Sequence, residues 1–109
     1  MTDEPLNSPS LEKIVKETSL LIHCTPVGMS PNIQETPLPG ACFHSNLTVM
    51  DIVYNPLETQ LLREAREIGC KTIHGIEMFV NQAVGQFERW TGQSAPVDVM
   101  RTILVEHFR

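Results

Sequence analysis

The chain has 109 residues, of which 41% are apolar and 19% charged, and a formal net charge of −5. This composition predicts one small soluble globular domain and argues against a disordered segment. No apolar run reaches the roughly 18–20 residues that cross a bilayer, and the acidic start of the chain holds no signal-peptide core. We therefore expect a cytoplasmic protein without a membrane anchor. The acidic balance also lacks the Lys/Arg cluster that nucleic-acid-binding proteins use to contact phosphates.

The cysteines and histidines do not form a metal-binding or disulfide pattern. Cys24, Cys42 and Cys70 are far apart and odd in number, which is typical of reduced thiols in an intracellular protein. His23 and Cys24 are adjacent, so on a strand their side chains point to opposite faces. None of these residues shows C-x-x-C or H-x-x-x-H spacing, and we predict no metal site.

The first third of the chain predicts a short helix, a strand and a long loop. Residues 1–10 are polar and hold two prolines, so we expect a flexible lead-in, with Ser10 capping a helix that runs to about Thr18. The apolar run at residues 20–24 is typical of a parallel strand that is covered on both faces. Residues 26–46 contain four prolines and no periodicity, and long loops of this kind are usually functional.

The rest of the chain alternates strands and helices. Residues 48–54 are rich in β-branched side chains and predict a second strand. Asn55 and Pro56 are a suitable cap and first position for a helix that ends at Gly69. Residues 70–74 predict a third strand. Two amphipathic helices follow, the first ending at Thr91-Gly92 and the second opening at Pro96.

This order predicts an α/β fold. Strand–helix–strand alternation requires right-handed crossovers and a parallel sheet, here of about three strands with flanking helices and exposed edges. Ligands bind beyond the carboxyl ends of such strands, where the chain has residues 25–29, 54–56 and 74–76. The glycines form neither G-x-G-x-x-G nor a P-loop, so no phosphate cradle is predicted.

Several residues at these strand ends could contact a ligand. Gly28 and Gly75 would let the backbone approach a flat ring. The Tyr54 hydroxyl and the Gln82 amide suit a polyol or a carboxylate. Gln82 lies on the flank of the apolar stripe of its helix, where it either faces a cleft or contacts only water.

Four segments in order resemble the shikimate dehydrogenase family, across residues 11–109. Residues 22–29, IHCTPVGM, resemble the family segment N-A/T-T-P-V-G-M, although a His-Cys pair stands where Asn-Ala or Asn-Thr is usual. Residues 51–56 and 75–83, DIVYNP and GIEMFVNQA, resemble D-x-V-Y-N-P and G-x-x-M-x-x-x-Q-A. The tail FERWTG followed by Ala-Pro matches as well. The G-x-E-M-F form is similar to the bifunctional dehydroquinate dehydratase–shikimate dehydrogenase proteins.

The resemblance implies the C-terminal half of a Rossmann-like, doubly wound parallel sheet. It also implies NADP-dependent reduction of 3-dehydroshikimate to shikimate, in aromatic amino-acid biosynthesis. By motif position, Tyr54 and Gln82 would contact the substrate. The positions that would contact the cofactor, by the same resemblance, are Ile52, Gly75, Met78, Thr25 and Met29.

The resemblance further implies that the chain is a C-terminal segment of such an enzyme. The family's catalytic Lys/Asp pair belongs to an N-terminal substrate domain, and its Gly-rich loop belongs to the first half of the cofactor domain. We therefore expect no catalytic residue within residues 11–109 and no activity from this chain without that missing N-terminal part. The alternative is a stand-alone α/β interaction module, whose exposed first strand would bind a partner or a second copy of the chain.

Overall fold

A three-stranded parallel sheet with its strands in chain order is the centre of the fold. The computed structural model describes residues 9–109. The elements are α1 (Pro9–Lys16), β1 (Leu20–His23), a 3₁₀ turn (Gly40–Cys42), β2 (Thr48–Asp51), α2 (Gln60–Ile68), β3 (Lys71–Ile73), α3 (Gly75–Thr91) and α4 (Val97–Phe108). The predicted α/β class with a parallel sheet is therefore confirmed. Among the described helices, none has the length and apolar character needed to cross a membrane.

The start of the chain differs from the prediction. The helix α1 begins at Pro9, so Ser10 lies inside its first turn and is not its cap, and the helix ends at Lys16. The first eight residues of the predicted lead-in lie outside the described residues. Proline fits an early helical position because the missing N–H would have no partner there.

One face of the sheet carries the core. Val49 of β2 and Leu61, Leu62 and Ala65 of α2 are completely buried, and α1 adds Val15. The parallel register pairs His23 of β1 with Asp51 of β2, so the same face ends in two polar side chains at the carboxyl edge of the sheet.

The other face of β1 is open, and the prediction of a strand covered on both faces is wrong for the described residues. Leu20 is 51% exposed and Ile22 is 48% exposed, whereas His23 on the opposite face is buried. Alternation along a strand sends successive side chains to opposite faces. The helices α1 and α2 cover only the face that bears Val49, which leaves Leu20 and Ile22 accessible.

The helix α2 begins later than predicted. Its N-cap is Thr59, whose hydroxyl accepts a hydrogen bond from the Leu62 N–H at 3.3 Å. Asn55 instead contacts the long loop, where its carbonyl oxygens accept from the backbone N–H (2.8 Å) and the hydroxyl (3.1 Å) of Ser30. The predicted end of the helix is confirmed, because Gly69 has a left-handed φ of 100°.

Glu58, which lies between Asn55 and the observed start of α2, forms an ion pair. Its carboxylate accepts from Arg66 at 3.0 and 3.2 Å, and this guanidinium holds the pKa of Glu58 below its usual value of 4.5. His74 lies 3.6 Å from the same carboxylate.

We expect the Glu58–Arg66 pair to stabilise the fold above the ordinary glutamate range and to lose that effect in acid. The pKa of the folded state is lowered, so the contribution is present above pH 4.5 and disappears as the pH falls through the folded value. Urea midpoints measured against pH should therefore fall less steeply in acid for Arg66→Gln than for the unchanged chain. Parallel curves would contradict this assignment.

A second bidentate pair joins the last two helices. Arg101 of α4 donates to the Glu77 carboxylate of α3 at 2.9 and 3.1 Å. The pair holds α4 against α3, and the C-terminal end of α4 lies at the sheet edge, where Phe108 contacts Tyr54.

Candidate functional site

A pocket of about 420 Å³ lies beyond the carboxyl ends of β1 and β2. Its residues come from the segment after each strand and from the end of α4. They are Cys24, Thr25, Pro26, Met29, Ser30, Ile52, Val53, Tyr54, Asn55 and Phe108. Four of the seven residues predicted for the site, namely Thr25, Met29, Ile52 and Tyr54, are therefore brought together here.

Aromatic rings form one side of the pocket. The Tyr54 ring lies 4.6 Å from the Phe79 ring and 5.2 Å from the Phe108 ring, measured between centroids, with Phe108 edge-on. Such offset and edge-to-face pairs hold a ring in a fixed orientation. Phe108 was not predicted as a site residue, because its helical spacing indicates only an apolar position and not what it covers.

Gly75 sits where α3 begins against the end of β2. A Cβ atom there would lie 2.6 Å from the carbonyl oxygens of Ile52 and Val53 and 2.7 Å from that of Asp51. Only glycine fits this contact. In the structure, Gly75 thus lies close to the backbone of residues 51–53. Its predicted contact with a cofactor ring stays a prediction.

Met78 and Gln82 lie one turn apart on α3. Met78 is 39% exposed, and Gln82 is exposed as well. Neither contributes to the pocket wall. Their predicted contacts with cofactor and substrate remain predictions.

A buried polar network stands directly behind the pocket, and the sequence reasoning missed it. The Asp51 carboxylate, with no exposed surface, accepts from the Val53 N–H at 2.9 Å and from the Thr59 hydroxyl at 2.7 Å. The Nδ1 atom of His23 lies 3.0 Å from Asp51 Oδ1, and Nε2 is hydrogen-bonded to the Thr25 hydroxyl. The available signal was an Asp in the apolar run of β2, since a buried carboxylate requires partners.

The three thiols have different environments. Cys24 is exposed at the pocket, whereas Cys42 and Cys70 are buried. Burial raises the pKa of both buried thiols, and for Cys42 the nearby Glu12 carboxylate adds to the effect. Among the described residues, no three His, Cys, Asp or Glu side chains are grouped as they would be around a metal ion.

Comparisons with known proteins agree with this architecture. Residues 75–104 match the family model "Shikimate 5'-dehydrogenase C-terminal domain". The chain is similar to the shikimate dehydrogenase (NADP(+)) of Methanopyrus kandleri, with 45% identity over 105 residues that cover 95% of this chain and 36% of the relative. The chain thus spans about a third of the length of the curated relatives it matches.

Solved structures give the same relationship. The shikimate 5-dehydrogenase of Thermus thermophilus, in complex with NADP(H) and shikimate, superposes with a TM-score of 0.79 and 33% identity, covering 91% of this chain and 37% of that one. The quinate dehydrogenase of Corynebacterium glutamicum, in complex with NAD, gives a TM-score of 0.82 and 34% identity, covering 88% and 34%. The three strands therefore correspond to the C-terminal part of a Rossmann-like sheet. The chain is therefore similar to the C-terminal third of the shikimate dehydrogenases that it matches.

Proposed function

We propose that this chain forms the part of an NADP-dependent shikimate dehydrogenase that holds the nicotinamide end of the cofactor and one side of the substrate. The proposed reaction is the reduction of 3-dehydroshikimate by NADPH to give shikimate and NADP. The observation that carries the proposal is the pocket at the strand ends. Thr25, Met29, Ile52 and Tyr54 meet there, and each was assigned a ligand contact by the family resemblance.

The pocket fits the nicotinamide end of a dinucleotide. Its volume of about 420 Å³ lies within the range of small-ligand sites, and its wall is largely apolar. Met29 and Ile52 provide apolar surface for a flat ring, while the Thr25 hydroxyl offers a hydrogen bond. When bound, the cofactor supplies the hydride, and the residues of this chain orient it and exclude water.

Tyr54 and Gln82 are the residues proposed to contact the substrate. Tyr54 lines the pocket, and its ring is held by contacts with Phe79 and Phe108. A hydroxyl and a neutral amide are suited to the hydroxyl and carboxylate groups of a shikimate-like ring. Gln82 is accessible on α3 and would complete this side once a substrate is present.

The exposed edge of β1 is the proposed contact for the remainder of the enzyme. In the described residues β1 pairs only with β2, and Leu20 and Ile22 are accessible beside the free edge. An unpaired strand favours addition of another strand. We propose that the N-terminal part of the family architecture, which carries the catalytic residues, binds this edge. A homodimer through the same edge is the competing arrangement, and its observation would favour the alternative of a stand-alone interaction module.

We also propose a cytoplasmic location for the chain, since that compartment keeps thiols reduced.

Alkylation of Cys24 tests whether the pocket takes the nicotinamide end. We expect an iodoacetamide reagent to modify Cys24 of the full chain quickly, and Cys42 and Cys70 only after unfolding, because both are buried with raised pKa values. NADP should slow the modification of Cys24 by about tenfold at saturation, since occupancy sets the fraction of free pocket.

The controls separate the two halves of the cofactor. Adenosine 2′,5′-bisphosphate, which lacks the nicotinamide, should leave the Cys24 rate unchanged, and Cys24→Ser should abolish the fast phase. Protection by the bisphosphate alone, or no protection by NADP at the highest concentration that stays in solution, would contradict the proposed occupant.

Tyr54→Phe tests the proposed substrate contact. In the complete enzyme assembled around this chain, removal of the hydroxyl should weaken shikimate binding by about tenfold and NADP binding by less than about twofold, because one hydrogen bond to the substrate is lost while the ring is retained. Isothermal titration with each ligand measures both constants. Equal losses for the two ligands would refute the assignment.

A further inference from the structure

The network behind the pocket fixes where the proton of His23 lies. Asp51 is completely buried, and its two oxygens face three donors: the His23 ring, the Val53 N–H and the Thr59 hydroxyl. The Thr59 hydroxyl donates to Asp51 and uses its oxygen to accept the Leu62 N–H. A carboxylate offers only acceptors, and this one already receives hydrogens from Val53 and Thr59, so Nδ1 of His23, which lies 3.0 Å from Oδ1, carries a proton.

The proton on Nδ1 determines the role of Thr25. In the neutral imidazole with its proton on Nδ1, Nε2 is a hydrogen-bond acceptor, and in that form it receives the hydroxyl proton of Thr25. The Thr25 oxygen then has two lone pairs. One of them faces the Val27 N–H at 3.3 Å, and the other is left for a molecule in the pocket that Thr25 lines.

We propose that His23 is a positioning residue that fixes the Thr25 hydroxyl as a hydrogen-bond acceptor toward the pocket. This corner of the pocket would then select a ligand group that carries an N–H or O–H donor, such as a primary carboxamide, over a carboxylate. The identity of the ligand rests on the proposed function. The polarity of Thr25, by which we mean that its hydroxyl donates to His23 and accepts from the pocket, does not.

A histidine at position 23 can orient the Thr25 hydroxyl in a way that an asparagine at the same position would not. The family segment that residues 22–29 resemble has asparagine where this chain has His23, and an amide contains both a donor and an acceptor. An amide can turn to present either one, so it does not impose one polarity on a neighbouring hydroxyl. A neutral imidazole whose Nδ1–H is held by Asp51 has only the Nε2 lone pair to offer Thr25.

Ring-nitrogen spectroscopy of the full chain tests the polarity directly. With ¹⁵N-labelled histidine at about pH 8, we expect His23 to carry its proton on Nδ1 and to leave Nε2 unprotonated. His44 is an internal control of the opposite kind, because its Nε2 faces the carbonyl oxygens of Val15 (3.2 Å) and Thr18 (3.0 Å) and must donate. A proton on Nε2 of His23, alone or together with one on Nδ1, would overturn the proposal. His23→Gln and His44→Gln assign the two signals.

A comparison of two nucleotides, one with a carboxamide and one with a carboxylate, tests whether Thr25 accepts a hydrogen bond from the ligand. We expect the chain to bind NADP about tenfold more tightly than the analogue in which nicotinic acid replaces nicotinamide, since a carboxylate cannot donate to Thr25. Thr25→Ser should keep this preference, while Thr25→Val should reduce it to about twofold or less. His23→Gln should reduce it several-fold, because the amide permits either polarity.

The outcomes separate this inference from the proposed function. An unchanged preference in Thr25→Val and His23→Gln would overturn the positioning role. If neither nucleotide binds the unchanged chain, the proposed function fails, and the ring spectrum of His23 still decides the polarity of Thr25.

Discussion

Gly75→Ala should lower the free energy of unfolding by about 3 kcal/mol, because a methyl group there has no space. The added carbon would lie 2.6–2.7 Å from three backbone carbonyl oxygens of residues 51–53. Backbone atoms cannot rotate away as a flexible side chain can, so either α3 or the end of β2 must move. Urea denaturation followed by circular dichroism measures the loss. We also expect the pocket to be disturbed, since Ile52 and Val53 line it.

Gly85→Ala is the matched control on the same helix. A carbon at Gly85 would meet nothing within 4 Å among the described atoms, and the position is inside α3. Alanine favours helix over glycine, so this variant should be more stable by up to about 1 kcal/mol. A Gly75→Ala variant as stable as the unchanged chain would contradict the contact described for α3.

Asp51→Ala should cost about 3–5 kcal/mol, which is a large part of the stability of a small domain. The substitution leaves the His23 ring, the Val53 N–H and the Thr59 hydroxyl without their shared acceptor in a buried place. Unpaired buried donors lose their hydration and gain nothing in return. The measurement is the same urea titration, at a pH where the other carboxylates stay ionised.

Two further variants show whether burial causes this loss. Asp51→Asn retains an oxygen for Val53 and His23, so it should lose about 1–2 kcal/mol. Asp98→Ala removes a carboxylate that is fully exposed at the start of α4 and should change the stability by less than about 0.5 kcal/mol. Losses of similar size for Asp51→Ala and Asp98→Ala would refute a structural role for the network.

Helices and their ends were predicted well where they depend on residues that are close in the sequence. The apolar spacing of the two last helices, and the stops at Gly69 and Gly92, were read from a few adjacent residues, and both glycines adopt the left-handed conformation expected of them. The parallel sheet followed from the alternation of strands and helices. Because the strand ends of such a sheet meet at one edge, Thr25 and Tyr54 could be predicted to lie near one another, whereas Ile52, inside the predicted strand, was implied only by the family resemblance.

Contacts between distant residues explain where prediction failed. Asn55 has the chemistry of a helix cap, but it bonds to Ser30, and Thr59 takes the cap because its hydroxyl also reaches Asp51. Phe108 lies more than fifty residues after Tyr54 in the sequence, and helical spacing cannot indicate that the two rings meet. The His23–Asp51 pair depends on strand register, which no local pattern specifies.

An amide NMR titration of the ¹⁵N-labelled chain tests whether a preformed half-site for cofactor and substrate exists here. NADP and shikimate are added separately and then together. We expect the shifts to concentrate at Thr25, Tyr54, Gly75 and Gln82. NADP should act mainly on the residues after β1, and shikimate mainly on Tyr54 and Gln82. A well-dispersed spectrum in which neither ligand moves these four amides would contradict this expectation.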